Sequence, residues 1–263
     1  MIFGAMNSPL VELAREIKLL SGLGFDYLEM CLDPPLSDPA ALKPGEVKKM
    51  AEDAGLPIIV GHLPTFVWLA DIYPGVREAS VNEVRKALNF LAEMEVKKAV
   101  LHPGYWTGLV TSLPELGLDL AEESLVKILD AARPLGIVVC LENMFPRTGH
   151  MYRPEEFTAV LAAHPDLMMT LDLAHANIEG PRDRVRKMLE AGGDRIRHVH
   201  ASDNRGREDE HLPLGVGRLD LSGALAGLKR IGYDGSMTLE VFSPDRAYLK
   251  RSLKKIKSMW END

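Results

Sequence analysis

The sequence predicts an α/β fold, a single (β/α)8 TIM barrel spanning residues 1–263, and three observations carry that expectation. Eight short, nearly all-apolar runs alternate with helical patterns along the chain. Parallel strands covered on both faces read this way, without the strict alternation of a half-exposed strand. Six of the runs end on a metal-capable side chain, as in PIIVGH, KKAVLH, IVVCLE, LMMTLD, RIRHVH and SMTLE. A barrel gathers its strand ends at one mouth, and 263 residues suit it, since such barrels commonly take about 250.

The predicted strands are Ile2–Ala5, Phe25–Met30, Pro57–His62, Lys97–His102, Ile137–Glu142, Leu167–Asp172, Ile196–His200 and Ser236–Glu240. Helices are expected over Pro9–Leu20, Pro44–Ala54, Val76–Met94, Leu120–Leu135, Pro154–Ala163, Pro181–Ala191, Leu221–Arg230 and Asp245–Met259. In the third, Val81, Val84, Leu88 and Leu91 recur at helical spacing among charged residues. Gly55, Gly136 and Gly232 follow predicted helix ends, and Pro154 and Pro181 stand where a first helical turn tolerates a missing N–H. Three long connections, Gly104–Asp119, Asn143–Arg153 and Ser202–Leu219, follow C-terminal strand ends, where a barrel builds its site.

Hydrophobic residues make up 46 % and charged residues 26 %, as in ordinary globular chains. The formal charge of −7, from 31 Lys and Arg against 38 Asp and Glu, argues against broad nonspecific binding to nucleic acid. Cys31 and Cys140 lie in or just after strand-like runs and read as small buried hydrophobes. No apolar run approaches the roughly 18 residues of a membrane span, and the N-terminus lacks a signal-peptide pattern, so a cytoplasmic location is expected. No obligatory protein partner is evident.

A carboxylate or imidazole at the end of a buried strand costs several kcal/mol to desolvate unless it is paired or bound to a cation. His62, His102, Glu142, Asp172, His200 and Glu240 all stand there, which points to one metal site assembled from six strands. His175 follows Asp172 by three residues, and Asp209 and His211 share one side of an extended segment. His198 is expected to point away from the axis toward a helix, in a supporting role. Trp68, Tyr73, Tyr105 and Trp106 lie just past metal-bearing strand ends, and Trp106 and Trp68 are taken as pocket walls. Arg147, Arg153, Arg205 and Arg207 are candidate phosphate contacts.

The segments GHLPTFVWLA, VREASVNEV, VLHPG, LEN, LDLAHA, HVHASDN, DEHLPLGVG and TLEVFSP resemble the xylose-isomerase-like TIM-barrel superfamily, and most of all its endonuclease IV branch. The resemblance covers essentially the whole chain. It implies two or three zinc ions: one on His62, His102 and Glu142, a second on Glu142, Asp172, His200 and Glu240, and a third on His175, Asp209 and His211. Relatives of the sugar isomerase and epimerase type imply instead one manganese, magnesium or cobalt ion on the Glu142, Asp172, His200 and Glu240 set. Two positions depart from the endonuclease pattern: Glu210 stands where an arginine grips DNA, and Thr65 replaces a tyrosine.

The leading expectation is a metal-dependent phosphodiester or phosphoester hydrolase acting on abasic DNA or a small phosphorylated molecule, with a zinc-activated water. The alternative is a sugar or sugar-phosphate isomerase or epimerase in which Glu142 and Glu240 move a proton and His175 binds a hydroxyl.

Overall fold

The computed structural model describes residues 1–262. Eight strands, β1 (Ile2–Met6), β2 (Tyr27–Cys31), β3 (Ile58–His62), β4 (Lys98–Leu101), β5 (Val138–Glu142), β6 (Met168–Asp172), β7 (Ile196–Ala201) and β8 (Ser236–Leu239), pair in sequence order, all parallel. The pairing of β1 with β8 closes the barrel. The fold expectation holds.

Helices α1 (Leu13–Ser21), α2 (Pro44–Asp53), α3 (Pro74–Glu93), α4 (Pro114–Ala132), α5 (Pro154–Ala163), α6 (Leu173–Asn177), α7 (Arg184–Gly192), α8 (Leu221–Arg230) and α9 (Arg246–Asn262) surround it. The main core lies between strands and helices: Val81, Val84, Leu88 and Leu91 of α3 are fully buried against the sheet. Gly61 lets α3 approach closely, since a Cβ there would fall 2.3 Å from Leu91 Cδ2. A separate, smaller apolar cluster of Tyr27, Val60 and Val100 fills the barrel interior. Gly4 makes room for it, because its missing Cβ would sit 2.2 Å from the Tyr27 ring.

The connection expected over 104–119 is shorter than predicted. A 3-10 turn forms at Gly108–Ser112, and Pro114 opens α4 six residues before the apolar periodicity begins at Leu120. Proline at a first turn loses no hydrogen bond, so the helix extends beyond its buried stripe. The short helix α6, directly after β6, was not expected. It exists because the Asp172 side chain caps it, accepting from the His175 N–H at 2.6 Å. Cys31 and Cys140 are both buried and free. Among the described residues, no helix is long and apolar enough to cross a membrane.

Candidate metal centre

The barrel register brings the strand ends together. Asp172 pairs with His200 across β6 and β7, and His200 with Thr238 across β7 and β8, one residue short of Leu239 and the following Glu240. The LEN segment fixes the neighbouring geometry. Asn143 Nδ2 donates to the Asp172 carbonyl at 2.9 Å, while the Asp172 N–H donates to Asn143 Oδ1 at 2.8 Å. Asp172 Oδ1 is spent on capping α6, which leaves Oδ2 buried without a partner.

Two clusters follow. The first joins Glu142, Asp172, His200 and Glu240, with one donor atom from each lying within 4.8 Å of the others. His200 Nδ1 stands 3.3 Å from Glu142 Oε1 and 3.3 Å from Glu240 Oε1. The second joins His62, His102 and Glu142 within the same limit. Glu142 Oε2 lies 3.1 Å from His102 Nε2 and 3.6 Å from His62 Nε2, yet it has no aligned hydrogen-bond donor. Buried, unaligned oxygens of this kind fit atoms arranged around a cation better than atoms arranged around each other. Three carboxylates and one imidazole are a hard, oxygen-rich donor set suited to manganese, magnesium or cobalt, whereas two imidazoles and a carboxylate also suit zinc.

The third expected trio does not close in the same way. Asp209 Oδ2 lies 3.2 Å from His175 Nε2 and 3.0 Å from His211 Nε2, but the three are not among the groups that converge within 4.8 Å. The loop carrying Asp209 and His211 is held by Asp203, which accepts from the N–H groups of Gly215, Gly217 and Leu219 at 2.8, 3.0 and 3.0 Å.

Electrostatics tie the clusters together. Burial acts to raise Glu142, but His200 and His102 hold its carboxyl well below the usual range. Burial pushes Asp172 up to about 7. For His62 burial opposes the charge, but Glu142 outweighs it and lifts the imidazole to about 9; for His102 burial wins and the value falls. The two imidazoles facing Glu142 Oε2 are thus shifted in opposite directions, although His102 makes the shorter contact.

A cavity of about 870 Å³ opens above the clusters, with His62, His102, His175, Asp209, His211 and Glu240 in its walls. Tyr105 and Phe66, stacked with ring centroids 6.2 Å apart, form one side; Arg15 and an Arg246–Glu16 ion pair at 2.8 Å stand on another. None of the expected substrate contacts Trp68, Trp106, Arg147, Arg153, Arg205 and Arg207 lines it. Trp106 instead stacks on His150 with centroids 5.0 Å apart, and a Cβ on Gly149 or Gly117 would strike it, so it is a packing residue under the loop. Trp68 stands edge-on to Tyr105, with ring centroids 6.2 Å apart. Arg147 pairs with Glu208 at 3.7 Å and Glu179 at 4.0 Å, Arg205 is taken up by Glu210, and Arg207 is exposed.

The expected direction of His198 is also corrected. Residues two apart on a strand share a face, so His198 points inward with His200, one layer deeper. Both rings reach Glu29, a fully buried carboxylate in the middle of β2 that strand-end reasoning misses. Its signal in the sequence is a charge inside the apolar run YLEMCL.

Residues 17–259 match the family described as xylose isomerase-like TIM barrel. The chain belongs to that family. It is 34 % identical over 195 residues to an uncharacterized protein of Methanocaldococcus jannaschii, a match covering 69 % of this chain and 64 % of the other. The chain thus spans just under two thirds of that relative's length. It is 23 % identical over 261 residues to fructoselysine 3-epimerase of Escherichia coli O157:H7, covering 92 % of each chain. The crystal structure of a D-tagatose 3-epimerase-like protein superposes with a TM-score of 0.88 at 27 % identity, covering 99 % of this chain and 97 % of that one. These sugar-epimerase relatives overturn the leading expectation of an endonuclease IV-like phosphoester hydrolase, and with it abasic DNA as substrate. They fit the alternative expectation, a sugar or sugar-phosphate isomerase or epimerase, better.

Proposed function

We propose that the protein is a divalent-cation-dependent epimerase of a ketose or related keto-sugar. The observation that carries this reading is the convergence of Glu142 and Glu240, from β5 and the end of β8, on one buried cluster with Asp172 and His200. Those four residues would hold the cation, with manganese, magnesium or cobalt favoured by the donor set. When bound, the cation supplies Lewis acidity for a carbonyl and its neighbouring hydroxyl.

The side chains perform the proton transfers. One of Glu142 and Glu240, as carboxylate, takes the proton from the carbon beside the carbonyl, and the electron pair of that C–H bond moves into the carbonyl group. The other, as carboxylic acid, returns a proton to the opposite face, re-forming the C–H bond with inverted configuration. Atoms balance, and the pair ends with its protonation states exchanged. His175, in the cavity wall beside Glu142 Oε1 at 3.2 Å, is placed to bind a substrate hydroxyl. A second cation on His62, His102 and Glu142 is the finer proposal, supported by the unaligned Glu142 Oε2.

The test is proton NMR in heavy water with Mn2+ and a panel of free ketoses and keto-glycosides, run beside a nicking assay on abasic duplex. Epimer formation with deuterium at the inverted carbon is the expected result. No exchange with any member of the panel, or nicking alone, overturns the reading.

A further inference from the structure

We infer that Glu29 is a positioning residue for the metal centre, orienting His200 so that Nδ1 rather than Nε2 faces Glu142, Asp172 and Glu240. This rests on the reading of that cluster as a cation site. His200 Nε2 stands 3.1 and 3.2 Å from the two Glu29 oxygens, while Nδ1 stands 3.3 Å from one oxygen each of Glu142 and Glu240. An ionised carboxylate only accepts hydrogen bonds, so the ring nitrogen facing Glu29 carries the hydrogen. The lone pair available to a cation is then on Nδ1, and the ring plane is fixed from below.

Glu29 is itself held from a deeper layer of the barrel. His198 Nε2 contacts its Oε2 at 2.7 Å, and His198 Nδ1 meets Ser236 Oγ at 2.8 Å. Thr238 Oγ1, 3.3 Å from His198 Nε2, joins the Tyr27 hydroxyl at 2.9 Å. The chain from Tyr27 through Thr238, His198 and Glu29 to His200 is wholly buried and ends at the centre. Glu29, His198 and His200 also bring donor atoms within 4.8 Å of one another. An ion among them is nevertheless a poor fit. Tetrahedral ligands about 2.0–2.1 Å from zinc stay roughly 3.3 Å apart, and the 2.7 Å contact is a hydrogen-bond length.

Two measurements test this, and neither uses substrate, so they stand or fall apart from the epimerase reading. The first is nitrogen-15 NMR of histidines in the unaltered protein loaded with Zn2+. Expected are a hydrogen on His200 Nε2 and a metal-shifted Nδ1. The opposite tautomer, or a Zn2+ shift on His198, overturns the assignment. The second is Mn2+ affinity of E29Q. The amide must turn an N–H toward one imidazole, and affinity should fall about 10- to 100-fold, beyond any change in the melting temperature of the cation-free form. Lowered melting with unchanged Mn2+ affinity makes Glu29 merely structural and sinks the proposal. Absence of Mn2+ or Zn2+ binding by the unaltered protein overturns both this and the cation site itself.

Discussion

Asn143 and Asp172 exchange two hydrogen bonds, at 2.9 and 2.8 Å, across the C-terminal ends of β5 and β6. That exchange adds to the β6–β7 pairing in holding the Asp172 end. It fixes the backbone from which Oδ1 caps α6 and Oδ2 faces the cluster. Asn143 also follows Glu142 directly, so one amide sets the positions of two of the four cluster residues.

Replacing Asn143 by Ala therefore removes a donor and an acceptor at once: the buried Asp172 N–H loses its partner, while the Asp172 carbonyl keeps the first intrahelical bond of α6. Each unsatisfied group costs about 1–3 kcal/mol. N143A is expected to lose roughly 1–3 kcal/mol of stability in urea unfolding of the cation-free protein and to bind Mn2+ more weakly. A variant with unchanged stability and affinity contradicts the role assigned to the clamp.

Glu142 and Asp209 separate the chemistry from its surroundings. Glu142 belongs to two of the three converging groups, whereas Asp209 bridges His175 and His211 outside them. E142Q keeps the shape but removes a proton-transfer group, and kcat should fall by about 10²–10⁴-fold. D209A is expected to retain measurable epimerisation and the same cation stoichiometry, read by metal analysis after dialysis. Loss of a bound ion in D209A would show that the third trio holds a cation after all.

The barrel and the six strand-end residues are legible in the sequence because a polar group ending a buried strand breaks the apolar pattern once per strand. Glu29 breaks the same pattern in mid-strand, where only its burial between His198 and His200 reveals the reason. Asn143 and Asp203 act on backbone groups distant in sequence, Asp172 for the first and residues 215–219 for the second, and no local spacing announces such bonds. Trp106 misleads for a related cause. An aromatic residue at a barrel rim reads as a pocket wall until the glycines that receive it, Gly117 and Gly149, are brought beside it by the fold.

Alkaline pH should weaken the cation-free protein. Burial opposes a charge on His62, but Glu142 lifts its pKa to about 9, and His175, His200 and His211 shift upward too, since neighbouring carboxylates outweigh their burial. Their folded values exceed the unfolded value of about 6.5, so the folded state holds more protons, and the stability this contributes is complete below about pH 6.5 and lost as pH rises through the folded values. Asp172, raised to about 7 by burial, acts with the same sign at lower pH. His198, lowered to about 4 by burial despite Glu29, opposes it there, so the acid side is mixed. Cation binding reverses the slope, because ligands must shed protons to bind, and stabilisation by Mn2+ should grow across the same window. Thermal melts at about pH 6.5 and 9, with chelator and with Mn2+, check this. A chelated protein that melts no lower at the higher pH, or a Mn2+ shift that shrinks there, contradicts the assignment of these histidines to one carboxylate-rich centre.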